Sequence, residues 1–372
     1  MASTITALTG GGGVAVAGDT SGQLELKTNN GTTALTLDTS QNATFAGYVN
    51  LPNTFGFKNR IINGAMMIDQ RYAGTATANT INGYTVDRWA VLQTTTGKLI
   101  AQQNAGSVTP PTEYKNYLGV TSQSAYTVLS SDLYRISQQI EGLNTSDLGW
   151  GTANAKTVTL SFWVRSSLIG TFGGAIGNSA GASTYPFTYT ISSANTWEYK
   201  TITITGPTSG TYPTDNTTAI YLQFLLGGGA STTGGTANTW GTSSVGGPTG
   251  CVSVVGTNGA TFYITGVQLE KGSTATSFDW RPYGTELQLC QRYYETGTYI
   301  YTGGYSNSAV VASVNTPVYF KVTKRVVPTV TGTNSQGTFA VSSAALDGCA
   351  CGRSNVVANR INDGTFIADS EL

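Results

Sequence analysis

Not one of the 372 residues is histidine. That absence removes the commonest general base, the Ser-His-Asp and Cys-His arrangements and most catalytic zinc sites. Cysteine is scarce too: there are four, at 251, 290, 349 and 351, with no C-x-x-C spacing and only Cys349-Ala350-Cys351 close together. A Cys₄ metal site would need Cys251 and Cys290 to converge on that pair, so free buried thiols are the expectation, with no metal and no disulfide framework. Charge is equally thin. Asp, Glu, Lys and Arg supply 10% of the chain, and 19 basic residues balance 19 acidic ones, which leaves no basic stripe for nucleic acid. The most apolar stretch, 219–226, is interrupted by Gln223 and falls far short of the ~18 residues of a spanning helix, so no membrane insertion is expected. Met1-Ala2-Ser3-Thr4 opens no charged segment leading into an apolar one, so synthesis in a cytoplasm without export is expected. Gly10-Gly11-Gly12-Gly13 lacks the Lys-Ser/Thr of a phosphate loop, so no nucleotide cofactor is expected, and no other cofactor either.

What the chain does have is glycine, serine and threonine, more than a third of the total, together with 20 Tyr, 12 Phe and 6 Trp. Low charge with much Gly and Ser resembles disorder, but disordered chains lack aromatic and β-branched residues, so a strand-rich globular fold is the reading. Residues 1–55 carry Leu24 and Leu26, Leu35 and Leu37, then Phe45, Val49 and Leu51 in short alternating strands separated by Asn29-Asn30-Gly31 and Asp38–Asn42. Two or three inward side chains per strand cannot offset ~1–2 kcal/mol of backbone entropy per ordered residue. An intertwined homotrimer, with this segment as the fibrous attachment region, is therefore expected. Residues 56–285 hold about eight strands stepping by two (Tyr134, Ile136, Gln138, Ile140; Val158, Leu160, Phe162, Val164; Ile202, Ile204; Ile220, Leu222, Phe224), which fits a two-sheet antiparallel β-sandwich. Residues 286–372 read as a small, β-rich α+β domain, with strands near 298–301, 310–314, 318–322 and 338–341 and six tyrosines crowded toward its start. The fold class is thus all-β dominated.

The tract from Phe262 to Tyr294 joins the last two regions. Phe262, Ile264, Val267 and Leu269 alternate as a half-buried strand, with Gly266 breaking register as a bulge does. A polar turn follows, then Phe278, Trp280 and Tyr283 around Pro282. Thr285 with Gln288 has the form of a capping box, and Leu287, Cys290 and Tyr294 share a helical face.

This tract resembles one in bacteriophage tail-fibre and other virion surface proteins, where a strand ending in Gln-Leu-Glu, a Gly-x-x-Ala-Thr turn, an aromatic-Pro stretch and a Glu-Leu-x-x-Cys-Gln-Arg-Tyr-Tyr helix close a carbohydrate-binding-module-like jelly roll. The resemblance continues upstream through Asn59–Gly64, Asp87-Arg88-Trp89, Tyr134–Gly142 and Thr159–Val164. Downstream it takes in Phe320-Lys321-Val322, Pro328-Thr329-Val330 and Ala368–Leu372. It departs at Lys324-Arg325, where the family usually has Met-Arg, and at Ser370, where Ala is common. The resemblance implies jelly-roll topology, a virion location, attachment to the phage tail or an adaptor protein through the N-terminal segment, and binding of a host cell-surface glycan without catalysis. A capsid-decorating or head-fibre protein and a virion polysaccharide depolymerase are the alternatives.

Sugar rings present apolar C–H faces to aromatic side chains, so exposed aromatics are the candidate contacts. Trp89, Trp163 and Trp197 lie within alternating strands and are assigned to the core, and Trp280 to the domain junction. Trp150, between two glycines, is left open. Trp240, in the Gly/Ser/Thr-rich stretch 227–250, and Tyr299, Tyr301 and Tyr305, near Gly303-Gly304, are the candidate glycan contacts. A glycosidase needs only two facing carboxyl groups. Glu270, Asp279 and Glu286 form one loose acidic group and Asp132, Glu141 and Asp147 another, but nothing in the sequence marks a facing pair, so no catalytic residue is assigned.

Overall fold

The computed structural model describes residues 3–6, 15–16, 21–27, 31–40, 43–45, 57–78, 83–301, 311–335, 338–356 and 362–372. The chain divides into two compact units, Met1–Gly56 and Phe57–Leu372. In the first, β1 (Ser3–Thr6), β2 (Ala15–Val16), β3 (Leu24–Lys27), β4 (Thr33–Leu37) and β5 (Ala43–Phe45) form one sheet in the order β2-β1-β3-β4-β5. Leu24 pairs with Leu37, and Leu26 with Leu35, which also pairs with Phe45. The two-residue period therefore puts all five side chains on one face. Among the described residues that face is only partly covered: Leu24, Leu35 and Leu37 are half-buried, and Leu26 is 36% and Phe45 49% exposed. Val49, Leu51 and the four consecutive glycines lie outside the described residues.

The second unit is built on a β-sandwich. Its strands are β6 (Gly83–Tyr84), β7 (Ala90–Gln93), β8 (Leu99–Gln103), β9 (Leu118–Ser122), β10 (Leu133–Glu141), β11 (Val158–Ser166), β12 (Gly170–Asn178), β13 (Thr184–Ile191), β14 (Glu198–Ile204), β15 (Thr218–Gly228) and β16 (Thr261–Lys271). One sheet runs β13-β12-β15-β10-β7-β6 and the other β14-β11-β16-β9-β8, with antiparallel pairing throughout. Most connections cross from one sheet to the other, as in a jelly roll. Alternate residues point inward: Leu160, Phe162 and Val164 of β11 and Ile264, Val267 and Leu269 of β16 meet Ile136 and Ile140 of β10 and Leu222 and Phe224 of β15. The Phe162 and Phe224 rings touch across the sandwich, centroids 5.0 Å apart. Gly266, at φ 62°, makes the expected bulge. Ser161 pairs with Gln268 but Trp163 with Thr265, so two residues of β16 oppose one of β11.

Helix α1 (Tyr283–Gln291) begins three residues earlier than the capping-box reading places it. Pro282 is the cap residue at φ −53°, and no side chain caps the helix, so Thr285 sits inside the first turn. Glu286 is drawn instead to Arg281 and to the backbone N–H of Asn63. Cys290 joins Ile62, Ile68 and Tyr293 in a cluster bordered by Leu287 and Leu289. The helix thereby packs on the segment that leads into the sandwich.

Beyond it lie β17 (Tyr294–Tyr301), β18 (Val311–Tyr319), β19 (Thr329–Asn334), β20 (Phe339–Ala344), β21 (Gly348–Val356) and β22 (Asn362–Asp369). They form two three-stranded sheets, β17-β22-β19 and β18-β21-β20, around Val318, Phe320, Cys351 and Phe366. The two strands read at 310–314 and 318–322 are one, β18, whose edge position tolerates Pro317. No helix among the described residues is long and apolar enough to cross a membrane.

Candidate functional site

The outer face of the sandwich sheet β14-β11-β16-β9-β8 carries a groove of about 450 Å³. Strand alternation supplies its floor. With Leu160, Phe162 and Val164 turned into the core, Ser161 and Trp163 of β11 face outward. Trp163 pairs in register with Tyr199 on β14, and the two rings lie 5.3 Å apart at 49°. Tyr199 is 43% exposed. Trp163 is half-buried, so the assignment of Trp163 to the core is corrected: it has the opposite parity from the inward residues of its own strand. Trp197 is likewise half-buried, packed on Tyr117 and Tyr263 with its indole N–H donating to the carbonyl of Thr109 (2.9 Å). Trp89 is fully buried, as expected.

A second aromatic group closes one side. Tyr114, from the loop between β8 and β9, stands against Phe278 (5.5 Å) and Trp280 (5.0 Å), and these two against each other (4.8 Å). The Gly266 bulge makes room for it: a methyl group there would come within 2.7 Å of the Tyr114 hydroxyl. Burial pushes the Tyr114 phenol well above its usual value, reinforced by Tyr199 and Glu113, so it remains a neutral donor. The remaining lining is polar: Thr112, Glu113, Ser161, Thr276 and Ser277. Aromatic faces at two angles with hydroxyls and one carboxylate between them suit a polyhydroxylated ring that has both C–H faces and hydroxyl edges.

The candidates named from sequence fall elsewhere. Trp240 is half-buried, its indole N–H donating to the carbonyl of Thr205 (2.6 Å) and its ring against Trp150 (5.5 Å) and Tyr185 (5.4 Å). Its stretch is tied down, since Gly241 exchanges backbone hydrogen bonds with Thr184. Trp150 is buried in the main core. Tyr299 is also buried, packed in the cluster of the small sheets beside Phe339 and donating to the carbonyl of Thr333 (3.2 Å). Tyr301 lies on the backbone of β17, opposite Asn362, and Tyr305 lies outside the described residues.

The acidic residues have structural partners. Glu270 is buried and accepts from Gln268 Nε2 (2.8 Å) and from the N–H (2.8 Å) and hydroxyl (2.7 Å) of Thr276, which locks the turn after β16. Asp279 accepts the N–H of Asn59 (3.1 Å), and Asp132 that of Leu129 (2.7 Å). Asp147 pairs with Arg60 (2.9 Å) and Glu141 with Arg292 (2.5 Å). Among the described residues no group of three metal-ligating side chains converges, and Cys251 and Cys290 do not meet Cys349 and Cys351, whose sulfurs lie 3.0 Å apart.

No protein-family model matches the sequence, and no curated protein matches it. Solved structures resemble it in part. A putative sugar-binding protein from Bacteroides thetaiotaomicron aligns at TM-score 0.33 and 12% identity, over 57% of this chain and 100% of that one. The enzymatically active domain of bacteriophage CBA120 tailspike protein 4 aligns at TM-score 0.32 and 12% identity over 61% of this chain, which spans only 24% of that domain. TmCBM61, solved with β-1,4-galactotriose, aligns at 0.27 and 9% identity, over 53% of this chain and 100% of that one. At these scores the likenesses carry no inference about activity.

Proposed function

We propose that this chain is a non-catalytic, glycan-binding virion surface protein, a tail fibre or receptor-binding protein that attaches a phage to host cell-surface polysaccharide. The observation that carries the binding reading is the groove over Trp163 and Tyr199, with Tyr114 and Phe278 at its side and hydroxyl groups between. The tracts resembling tail-fibre proteins support the virion reading. The carboxylates held by hydrogen bonds and ion pairs support binding without turnover. Single sites of this kind are weak, and display on several chains would multiply them against a repetitive polymer.

Titration of the purified protein with neutral oligosaccharides from the host envelope is expected to give saturable binding. Trp163→Ala should weaken it about tenfold or more, since a stacking platform contributes on the order of 1–2 kcal/mol. Trp240→Phe should leave it unchanged. Binding that survives Trp163→Ala and Tyr199→Ala together would remove the site from this groove, and release of new reducing ends would replace the reading with the depolymerase.

The partly exposed apolar face of β3, β4 and β5 supports a homotrimer, with the N-terminal unit joining a tail or adaptor protein. Size-exclusion chromatography with light scattering should give three chains per particle, and a monomer at micromolar concentration would sink the fibre assembly.

A further inference from the structure

The outer face of the other sheet holds a groove of different chemistry. Arg135, Ser137 and Gln139 step by two along β10, turned away from inward Tyr134, Ile136 and Ile140, and meet Tyr221 and Gln223 on β15. The groove holds about 300 Å³, and its rim includes Ala180, exposed in the turn after β12. Its one charged residue is Arg135.

The guanidinium is held but not neutralised. Arg135 Nη1 donates to Gln223 Oε1, and Gln223 Nε2 is anchored on the carbonyl of Val245 (2.9 Å), so the side chain is oriented from below. Its Nε is buried without an acceptor among the described residues. No carboxylate among the described residues forms an ion pair with it, whereas Arg60, Arg71, Arg88, Arg281 and Arg292 each have one. A half-buried guanidinium without an anion is costly, and it presents a forked donor set suited to a planar or tetrahedral oxyanion. The surrounding groups are a hydroxyl and amide set. Thr218 donates to Gln139 Oε1 (2.7 Å), and the Tyr221 and Thr184 hydroxyls are hydrogen-bonded to each other (2.8 Å). One cation among hydroxyls and amides matches one negative charge on a polyol, and is too little charge for a nucleic-acid backbone.

We infer that this groove is a second binding site, selective for a sugar carrying a single oxyanion at Arg135, in the first place the carboxylate of a uronic acid. A sugar linked through a phosphodiester has the same charge and polyol character and is the other source of that chemistry. The site lies on the opposite sheet from the Trp163 groove, so the inference does not depend on where neutral sugars bind. Burial also pulls the Arg135 pKa down from its usual value, in keeping with a guanidinium awaiting a counter-charge.

The test is isothermal titration calorimetry of the full chain with three probes: a galacturonic acid trisaccharide, the matching neutral galactose trisaccharide, and a glycerol-phosphate oligomer bearing sugars. The uronate should bind at least about tenfold more tightly than the neutral sugar, with the preference shrinking as salt rises. Arg135→Gln should abolish the preference, and Trp240→Phe, in neither groove, should preserve it. Ala180→Trp, which fills the groove from an exposed rim position, should also abolish it and guards against a folding defect in the arginine variant. Tighter binding of the phosphodiester oligomer, lost in the same two variants, would identify that source and uphold the site. Equal affinity for charged and neutral sugars, or a preference that survives both variants, would overturn it.

Discussion

A chain of residues 57–285 is expected not to fold cooperatively, although the sequence shows a change of pattern near residue 285. Residues beyond that point complete the charge pairing of residues before it. Glu141, 1% exposed, receives Arg292 through both oxygens (3.0 and 2.5 Å) and the Tyr293 hydroxyl (2.5 Å). Arg88, also 1% exposed, lies over the Tyr293 ring at 3.6 Å and pairs with Glu371. Arg71 stacks on Tyr294 at 3.6 Å and pairs with Asp369 (3.3 Å) and Glu371 (3.0 Å). Arg325 bonds the carbonyls of Asn216 (2.9 Å), Ser370 (3.0 Å) and Glu371 (2.9 Å), tying a sandwich loop to the final strand's exit.

Removing 286–372 leaves Glu141 and Arg88 without their ionic partners and opens the cluster of Ile62 and Ile68. Stranding a buried charge costs about 3–5 kcal/mol, so two of them approach the ~5–15 kcal/mol that a domain has in total. Near-ultraviolet circular dichroism during urea unfolding is the measurement. Residues 57–372 should show one sigmoidal transition, and residues 57–285 a weak spectrum without one. A cooperative transition in the shorter chain would make the second boundary a true domain boundary.

Much of this architecture was legible in the sequence, because a period of two is a strong signal wherever one face is buried. The inward sets of β11 and β16 and the Gly266 bulge follow from it directly. The same signal contained the groove: if Phe162 and Val164 point in, Trp163 points out. A tryptophan inside a strand suggests core by residue type, but parity decides which face a strand residue occupies. Thr285 offers a capping side chain, but Pro282 fixes the backbone and Glu286 has stronger partners in Arg281 and Asn63, so the helix starts earlier. The glycines near Tyr299 and Trp240 suggest exposed loops, yet each ring is held by residues distant in sequence, Tyr299 by Thr333 and Trp240 by Trp150. Strands β19, β21 and β22 carry few large apolar residues and are stabilised by cross-strand pairing, which local pattern does not show.

Replacing Lys324 by methionine is expected to lower the stability of the second unit by about 3–5 kcal/mol, the cost of stranding its buried partner. Lys324 is 1% exposed, and its Nζ donates to Glu295 Oε2 (2.6 Å) and the carbonyl of Gln291 (2.5 Å). Glu295, fully buried, has as its other donor the N–H of Lys321 (3.2 Å). Burial pulls the Lys324 pKa below 10.5 even though Glu295 pulls it up, so desolvation outweighs the attraction within the pair. Methionine is unbranched and close to lysine in length, so the loss expected in the single variant is electrostatic rather than steric. It follows that Lys324→Met with Glu295→Gln should recover most of the loss, because a neutral amide can still accept from Lys321 and no charge is left buried. Urea midpoints of the two single variants, the double variant and the parent form the cycle. A double variant no more stable than the worse single one would mean that packing against the Phe320 ring, 4.9 Å from Nζ, rather than charge, holds this corner together.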